Sequence, residues 1–138
     1  MPNPNPIQVN SPGVQINYSI GAANAAANIT LTIAIDITAA DWNYVPLCQI
    51  FLNGVDLYPA SSPEPADLLL GTGASLTGKT LYTSSNVAKI YPAGGAAGAY
   101  PPVSYQIIIK ANGVALDTFP ANDAAQVSSN FNATLLFV

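Results

Sequence analysis

The chain has 138 residues, of which only 7% are charged, whereas an ordinary soluble domain carries about 25% Asp, Glu, Lys and Arg. It contains 3 Lys plus Arg, 7 Asp plus Glu and no His, which gives a formal net charge of -4. This length predicts one domain that can bury a core without metal or disulfides. The shortage of cations argues against nucleic acid and anionic membrane surfaces as partners, because both need several Lys or Arg.

The same shortage removes most of the usual catalytic groups. General acid–base chemistry at neutral pH normally uses His, or a carboxylate or Lys with a shifted pKa, and no two acidic residues here have a diagnostic spacing. Cys48 lies in an apolar run without a His partner, which is typical of a small buried hydrophobe. Pairs that include Asp41 or Asp123 could offer oxygen ligands to calcium, but such residues more often form turns. We therefore expect no enzyme, no cofactor and no metal site.

The first thirteen residues form a segment of distinct composition. Proline at positions 2, 4, 6 and 12 predicts an extended arm over residues 1–13, followed by a folded domain over residues 14–138. The arm has neither the basic region nor the apolar region of a signal peptide. No apolar run in the chain is long enough to span a bilayer, and the sequence leaves localisation open. Ile7 and Val9 of the arm could add to an edge strand of a neighbouring molecule.

Alternation of apolar and polar residues predicts β-strands along most of the domain. Residues 14–20 form a short strand, residues 21–27 a turn or loop, and residues 29–38 a half-buried strand with a row of Ile and Leu on one face. Asn53-Gly54 and Asn112-Gly113 each predict a type I′ hairpin, because Asn-Gly tolerates positive φ at both central positions.

The rest of the domain contains further strands and two loops. Residues 59–67 and 92–102 predict loops, residues 71–80 turns, and residues 76–90 one or two strands with Leu81, Thr83, Ser85 and Val87 on one face. Residues 127–138 predict a last strand inside a sheet, with Phe131, Ala133, Leu135 and Phe137 facing inward.

About eight strands and two Asn-Gly hairpins predict an all-β, single-domain antiparallel β-sandwich, either immunoglobulin-like or jelly-roll. The Cys–Trp–Cys signature of true immunoglobulin domains is absent, and the strand order stays open.

Two functions fit these observations. The charge deficit favours a non-enzymatic structural role, in which the domain forms a homo-oligomer or packs into a larger protein assembly. The alternative is a carbohydrate-binding module that holds a glycan on aromatic rings close to loops. Such rings are equally typical of protein interfaces or of side chains that close the ends of a sandwich. The candidate residues for contact with a ligand or partner are Trp42, Tyr44, Tyr58, Tyr91 and Tyr100.

Overall fold

A computed structural model describes residues 15–37, 39, 42–58, 63–90, 100–122 and 128–138. Their strands form two packed sheets, so the predicted β-sandwich is confirmed. The strands are β1 (Gln15–Tyr18), β2 (Asn28–Ile37), β3 (Asn43–Leu52), β4 (Val55–Tyr58), β5 (Leu68–Thr72), β6 (Thr80–Ile90), β7 (Val103–Ala111), β8 (Val114–Asn122) and β9 (Ser128–Phe137).

The five-stranded sheet has the order β1-β9-β6-β3-β4, and the four-stranded sheet has the order β5-β2-β7-β8. Neighbouring strands are antiparallel except β1 and β9, which pair in parallel. The last strand therefore lies between two others, as its apolar pattern predicts. The predicted arm over residues 1–13, with Ile7 and Val9, lies outside the described residues.

Alternation of side chains fixes the core between the sheets. One row of β2 is buried from Ile29 to Ile33, and the predicted inward row of β6 is buried from Leu81 to Val87. The four predicted inward residues of β9 are also buried. A slip of one residue would turn each of these rows to solvent, so the pattern specifies the register of the strands.

Both Asn-Gly hairpins form as predicted. Asn53 and Gly54 have φ of 52° and 83°, and Asn112 and Gly113 have φ of 47° and 82°. Positive φ at both central residues is the requirement of a type I′ turn, which matches the right-handed twist of the flanking strands.

Two elements differ from the sequence prediction. β5 is an additional strand directly after the predicted loop, and Gly73–Leu76 forms one helical turn, α1, where turns alone were expected. The Thr72 side chain accepts a hydrogen bond from Ser75 N at 3.3 Å and caps this turn. A side chain at Gly73 would meet the carbonyl oxygen of Asn24 at 2.3 Å, so the close approach of α1 to residues 22–24 requires glycine.

Three tyrosine hydroxyls connect one sheet with the other. Tyr18 of β1 donates to Asp117 Oδ2 of β8 at 2.6 Å, and Tyr105 of β7 shares a 2.8 Å hydrogen bond with Ser85 of β6. Tyr44 of β3 lies within 3.3 Å of the Ile35 carbonyl oxygen in β2. Hydrogen bonds of phenol groups thus connect the two sheets at three places.

Candidate interaction surfaces

The outer surface of the five-stranded sheet carries no charge on its three long strands. Within the described parts of β3, β6 and β9, no Asp, Glu, Lys or Arg points outward. Asp56 lies at the rim, on edge strand β4 opposite Phe51. We call this surface the uncharged face. It consists of Asn43, Val45, Leu47, Gln49, Phe51, Thr80, Tyr82, Ser84, Asn86, Ala88, Ile90, Asn130, Asn132, Thr134 and Leu136.

The uncharged face combines apolar and amide side chains. Along β3, Val45, Leu47 and Phe51 share the outward row with Asn43 and Gln49. Phe51 packs beside Tyr82 with ring centroids 6.2 Å apart. On the opposite side, β9 presents Asn130, Asn132, Thr134 and Leu136. Asn86 Nδ2 donates to Asn130 Oδ1 at 2.7 Å. Apolar and amide groups are therefore mixed over the face, with Phe51 beside β4 and Thr134 and Leu136 beside β1.

The outer surface of the four-stranded sheet is different, because it carries charges. Lys110 Nζ lies 2.9 Å from Asp67 Oδ1, and Thr32 Oγ1 accepts a hydrogen bond from Asp67 N at 2.9 Å. The hydrogen bond from Lys110 and the positive charge of its ammonium lower the pKa of the Asp67 carboxyl. Asp36 is exposed on the same sheet, as its position in the β2 pattern predicts. The two outer surfaces thus differ sharply in polarity.

Two of the predicted aromatic residues hold the connection between β4 and β5. Tyr44 donates to Glu64 Oε1 at 2.7 Å, and the Tyr58 hydroxyl donates to the Pro63 carbonyl. Pro65, which is buried, accepts a hydrogen bond from Ile33 N at 2.9 Å. Tyr44 and Tyr58 therefore serve to close this side of the sandwich, and burial raises the pKa of Tyr44 to about 12.

The other predicted aromatic residues lie near the opposite end of the strands from the Asn-Gly turns. Trp42 and Tyr100 pack edge to face with ring centroids 5.8 Å apart. Tyr91 lies outside the described residues. Among the predicted residues, the structure thus brings Trp42 and Tyr100 into contact, and Tyr44 and Tyr58 both bind the connection between β4 and β5. The Phe51–Tyr82 pair, which the sequence analysis left out, is recognisable only once the β3–β6 register is known.

The open side of β3 is interrupted by a proline. β4 covers only Ile50 to Leu52, so residues 43–49 have no strand on that side among the described residues. Leu52 flanks the two-residue turn and directs its N–H toward β4, as such hairpins require. Along a strand, the backbone N–H and C=O groups of successive residues point alternately to one side and to the other. Pro46, an even number of positions away, therefore sits where its missing N–H faces the open side.

Strand β8 has a proline in the equivalent situation. The Ile33 N–H donates to Pro65, so it points away from β7. Ile107 lies opposite Ile33, so its backbone N–H and C=O point to the other side, toward β8. Its partner in β8, Phe119, directs its own backbone groups back to Ile107. The backbone nitrogen of the neighbouring Pro120 therefore points to the other side of β8, which is the open edge of the sheet. Proline is tolerated in sheets at such positions and removes a donor that another strand could use.

A small polar cluster lies inside the core. Ser85 Oγ donates to Cys48 Sγ at 3.3 Å, and the Tyr105 ring stacks on Phe131 at a centroid distance of 4.1 Å. Burial raises the pKa of the Cys48 thiol and of the Tyr105 hydroxyl. The thiol is therefore held in its protonated form, as expected of a structural cysteine.

A cavity of about 180 Å³ lies at the end of the sandwich that carries α1. Its lining includes Ile20, Ala25, Ala74, Thr77 and Val138 and contains no charged side chain.

Within the described residues, no group of three or more His, Cys, Asp or Glu is placed to hold a metal ion. No helix among them has the length and apolar character to cross a membrane.

The fold and these surfaces define a β-sandwich with one uncharged sheet face. Comparison with known protein families, with curated proteins and with solved structures finds no match to this chain.

Proposed function

We propose that this protein is a non-enzymatic structural domain that associates with copies of itself through the uncharged face. The observation that carries the proposal is the segregation of charge. Asp67, Lys110 and Asp36 lie on the four-stranded sheet, whereas the long strands of the other sheet present only apolar, amide and hydroxyl groups. Charged residues are depleted at the centre of protein interfaces, so a surface of this composition suits contact with protein.

The size of the face supports the same proposal. The three long strands, of ten or eleven residues each, cover about 500 Å², if each residue rises about 3.3 Å and strands lie about 4.8 Å apart. Each partner in a stable interface buries about 800 Å² of accessible surface, which exceeds the projected area because side chains are corrugated. One face is therefore large enough for a dimer.

The open edges are less suited to association. Pro46 and Pro120 each remove a backbone donor from the open side of their strands, and β1 and β5 span only 4 and 5 residues. Edge-to-edge pairing depends on a continuous row of backbone donors and acceptors. Association through the sheet face is therefore favoured over pairing of edges.

Matched leucine substitutions on the two sheets test the proposal. Leu47 on the uncharged face is 46% exposed, and Leu69 on the other sheet is 58% exposed. We expect Leu47→Lys to raise the dissociation constant of the assembly at least about 30-fold, because it buries an unpaired ammonium near the centre of the contact. In 1 M NaCl, where the repulsion between like-charged copies is screened, Leu69→Lys should leave the constant unchanged. Sedimentation velocity at micromolar concentrations measures both.

Other outcomes would redirect the proposal. The proposal would be contradicted if the wild-type protein sedimented as a 14.2 kDa monomer up to about 100 μM. An association weaker than that is too weak for a specific assembly. Equal effects of the two lysine variants would place the contact elsewhere. A monomer that binds a glycan, and loses that binding in Phe51→Ala, would instead favour the carbohydrate function. The specific observation behind that second candidate is the Phe51–Tyr82 pair beside Gln49 and Ser84.

A further inference from the structure

Asparagine followed by glycine occurs twice in the chain, at Asn53-Gly54 and at Asn112-Gly113. Both pairs form exposed turns between two strands. We propose that Asn53 is a site of spontaneous covalent modification in the folded protein, where the side-chain amide is lost to give aspartate or isoaspartate. Asn112 is protected by the hydrogen bonds of its own turn. This inference does not depend on the proposed self-association.

The reaction needs only the two residues of the turn and water. The backbone nitrogen of Gly54 gives up its proton to hydroxide and forms a bond with Cγ of Asn53. The bond between Cγ and Nδ2 breaks, and Nδ2 leaves as ammonia after it takes a proton from water. Water then opens the cyclic imide on either side of the ring nitrogen, which gives aspartate or isoaspartate. No group is oxidised or reduced.

The nucleophile is available in both turns. The backbone N–H groups of Gly54 and Gly113 make no hydrogen bond within the described residues. Glycine has no Cβ that would shield the nitrogen, and its backbone adopts more conformations than that of any other residue. A Cβ built on either glycine would meet no atom within 4 Å, so the space around both turns is open. The difference between the two turns therefore lies in the asparagine.

The side chain of the asparagine distinguishes the two turns. Asn112 Oδ1 accepts a hydrogen bond from Asn28 N at 2.9 Å, and Asn112 N donates to the Asn28 carbonyl oxygen at 2.9 Å. These two bonds attach the Asn112 amide to β2. Asn53 N also donates across its sheet, to the Thr80 carbonyl oxygen at 2.7 Å, but the Asn53 side chain has no hydrogen bond to the described residues. The Asn53 amide is therefore free to turn toward Gly54 N.

This rotation of the amide sets the expected difference in rate. Asn53 and Asn112 have φ of 52° and 47°, so the backbone change that the attack requires is similar in both turns. Rotation of the Asn112 amide also breaks the hydrogen bond from Asn28 N, whereas rotation of the Asn53 amide breaks none. Loss of one hydrogen bond lowers the reactive population about 3- to 10-fold, and Asn53 should convert faster than Asn112 by that factor in the folded protein.

Conversion of Asn53 places a negative charge beside the uncharged face. Asn53 directly follows β3, and its backbone is bonded to Thr80 of β6. Isoaspartate also lengthens the backbone by one methylene, which the geometry of a two-residue turn does not accommodate. Because β4 has only β3 as a neighbour in the described sheet, the modification alters both the charge and the strand connection at this end of the face.

Site-resolved mass spectrometry of the full chain tests the proposal. The folded protein is incubated at about pH 9, where free tyrosine is still protonated, and is digested at intervals. We expect aspartate and isoaspartate to accumulate at position 53 at least about 3 times faster than at position 112. In guanidinium chloride the two rates should become equal, because unfolding removes the hydrogen bonds of Asn112. The denatured chain is thus the internal control.

Asn53→Gln is the matched variant, because glutamine would have to close a larger and less favourable ring. It should abolish the faster formation of acidic species on anion exchange, whereas Asn112→Gln should leave that formation unchanged. Equal conversion of the two asparagines in the folded wild-type protein, or faster conversion of Asn112, would overturn the proposal. So would a folded protein in which neither asparagine converts during a period in which both convert in denaturant.

Discussion

In this domain with few charged side chains, tyrosine hydroxyls form polar contacts between the two sheets. Tyr18, Tyr44 and Tyr105 each join the two sheets through a hydrogen bond, and Tyr18 packs edge to face against Phe119 at 5.7 Å. A hydrogen bond to a carboxylate stabilises a fold by about 1.5 to 3 kcal/mol, more than most exposed ion pairs. Asp117, which follows the second Asn-Gly turn, is half-buried and accepts this hydrogen bond from Tyr18.

These phenols make stability sensitive to alkaline pH. Burial and the hydrogen bond to Glu64 raise the pKa of Tyr44 to about 12, and burial also raises the pKa of Tyr18 and Tyr105. Above pH 10 the unfolded chain releases these protons while the folded protein retains them. The stabilisation by Tyr44 is therefore complete below pH 10 and is lost as pH rises to 12.

We expect the free energy of unfolding, measured in urea, to fall between pH 10 and 12 in the wild-type protein. In Tyr44→Phe the fall should be shallower, because phenylalanine has no proton to release. The difference between the two proteins at pH 7 to 9 reports only the lost hydrogen bonds and serves as the reference. Parallel curves for the two proteins between pH 10 and 12 would show that Tyr44 does not contribute.

The strand edges are protected by proline and by shortness, without help from lysine. Pro46 and Pro120 face the open sides of β3 and β8, and register shifts interrupt the pairing of β3 with β4 and of β7 with β8. The sequence suggests unguarded edges, because it has only 3 Lys plus Arg and most of its prolines lie outside strands. The role of the two strand prolines depends on the pairing register, which a single sequence does not show.

Restoring the missing backbone N–H donors should allow the open edges of two molecules to pair. Pro120→Thr and Pro46→Thr each add an outward N–H to an open edge, so we expect aggregation at roughly tenfold lower concentration than in the wild type. Light scattering during concentration measures this. Thr118→Val, which changes a side chain in β8 but no backbone donor, is the control. Aggregation of the proline variants at the control concentration would contradict the assigned orientation of these edges.

Most strands could be predicted because their inner faces alternate strictly, as in Ile29 to Ile33. The sequence Leu68-Leu69-Leu70-Gly71-Thr72 of β5 does not alternate, which is why that strand was missed. The predicted aromatic residues stay a prediction, and spacing along the chain does not show which rings the fold brings together. Phe51 and Tyr82 are 31 positions apart in sequence yet adjacent across β3 and β6.

At the scale of the whole molecule, none of the charged residues that the structure describes lies on the long strands of the surface that we propose as the interface, and Asp56 lies at its rim. Every copy has a net charge of -4, so two copies repel each other while the uncharged face itself contains nothing for salt to screen. At a separation of about 20 Å between copies, this repulsion amounts to about 1 to 2 kcal/mol in 10 mM salt and nearly vanishes in 1 M salt.

We therefore expect association to tighten with salt. The dissociation constant should fall roughly tenfold between 10 mM and 1 M NaCl, which corresponds to the loss of that repulsion. Sedimentation velocity across this range checks it, with Leu69→Lys as the matched variant, because its smaller net charge should reduce the salt dependence. An interface held by ion pairs would respond in the opposite direction, since salt would screen the attraction. Weakening of the assembly by NaCl would thus place the contact on the charged sheet around Asp67 and Lys110.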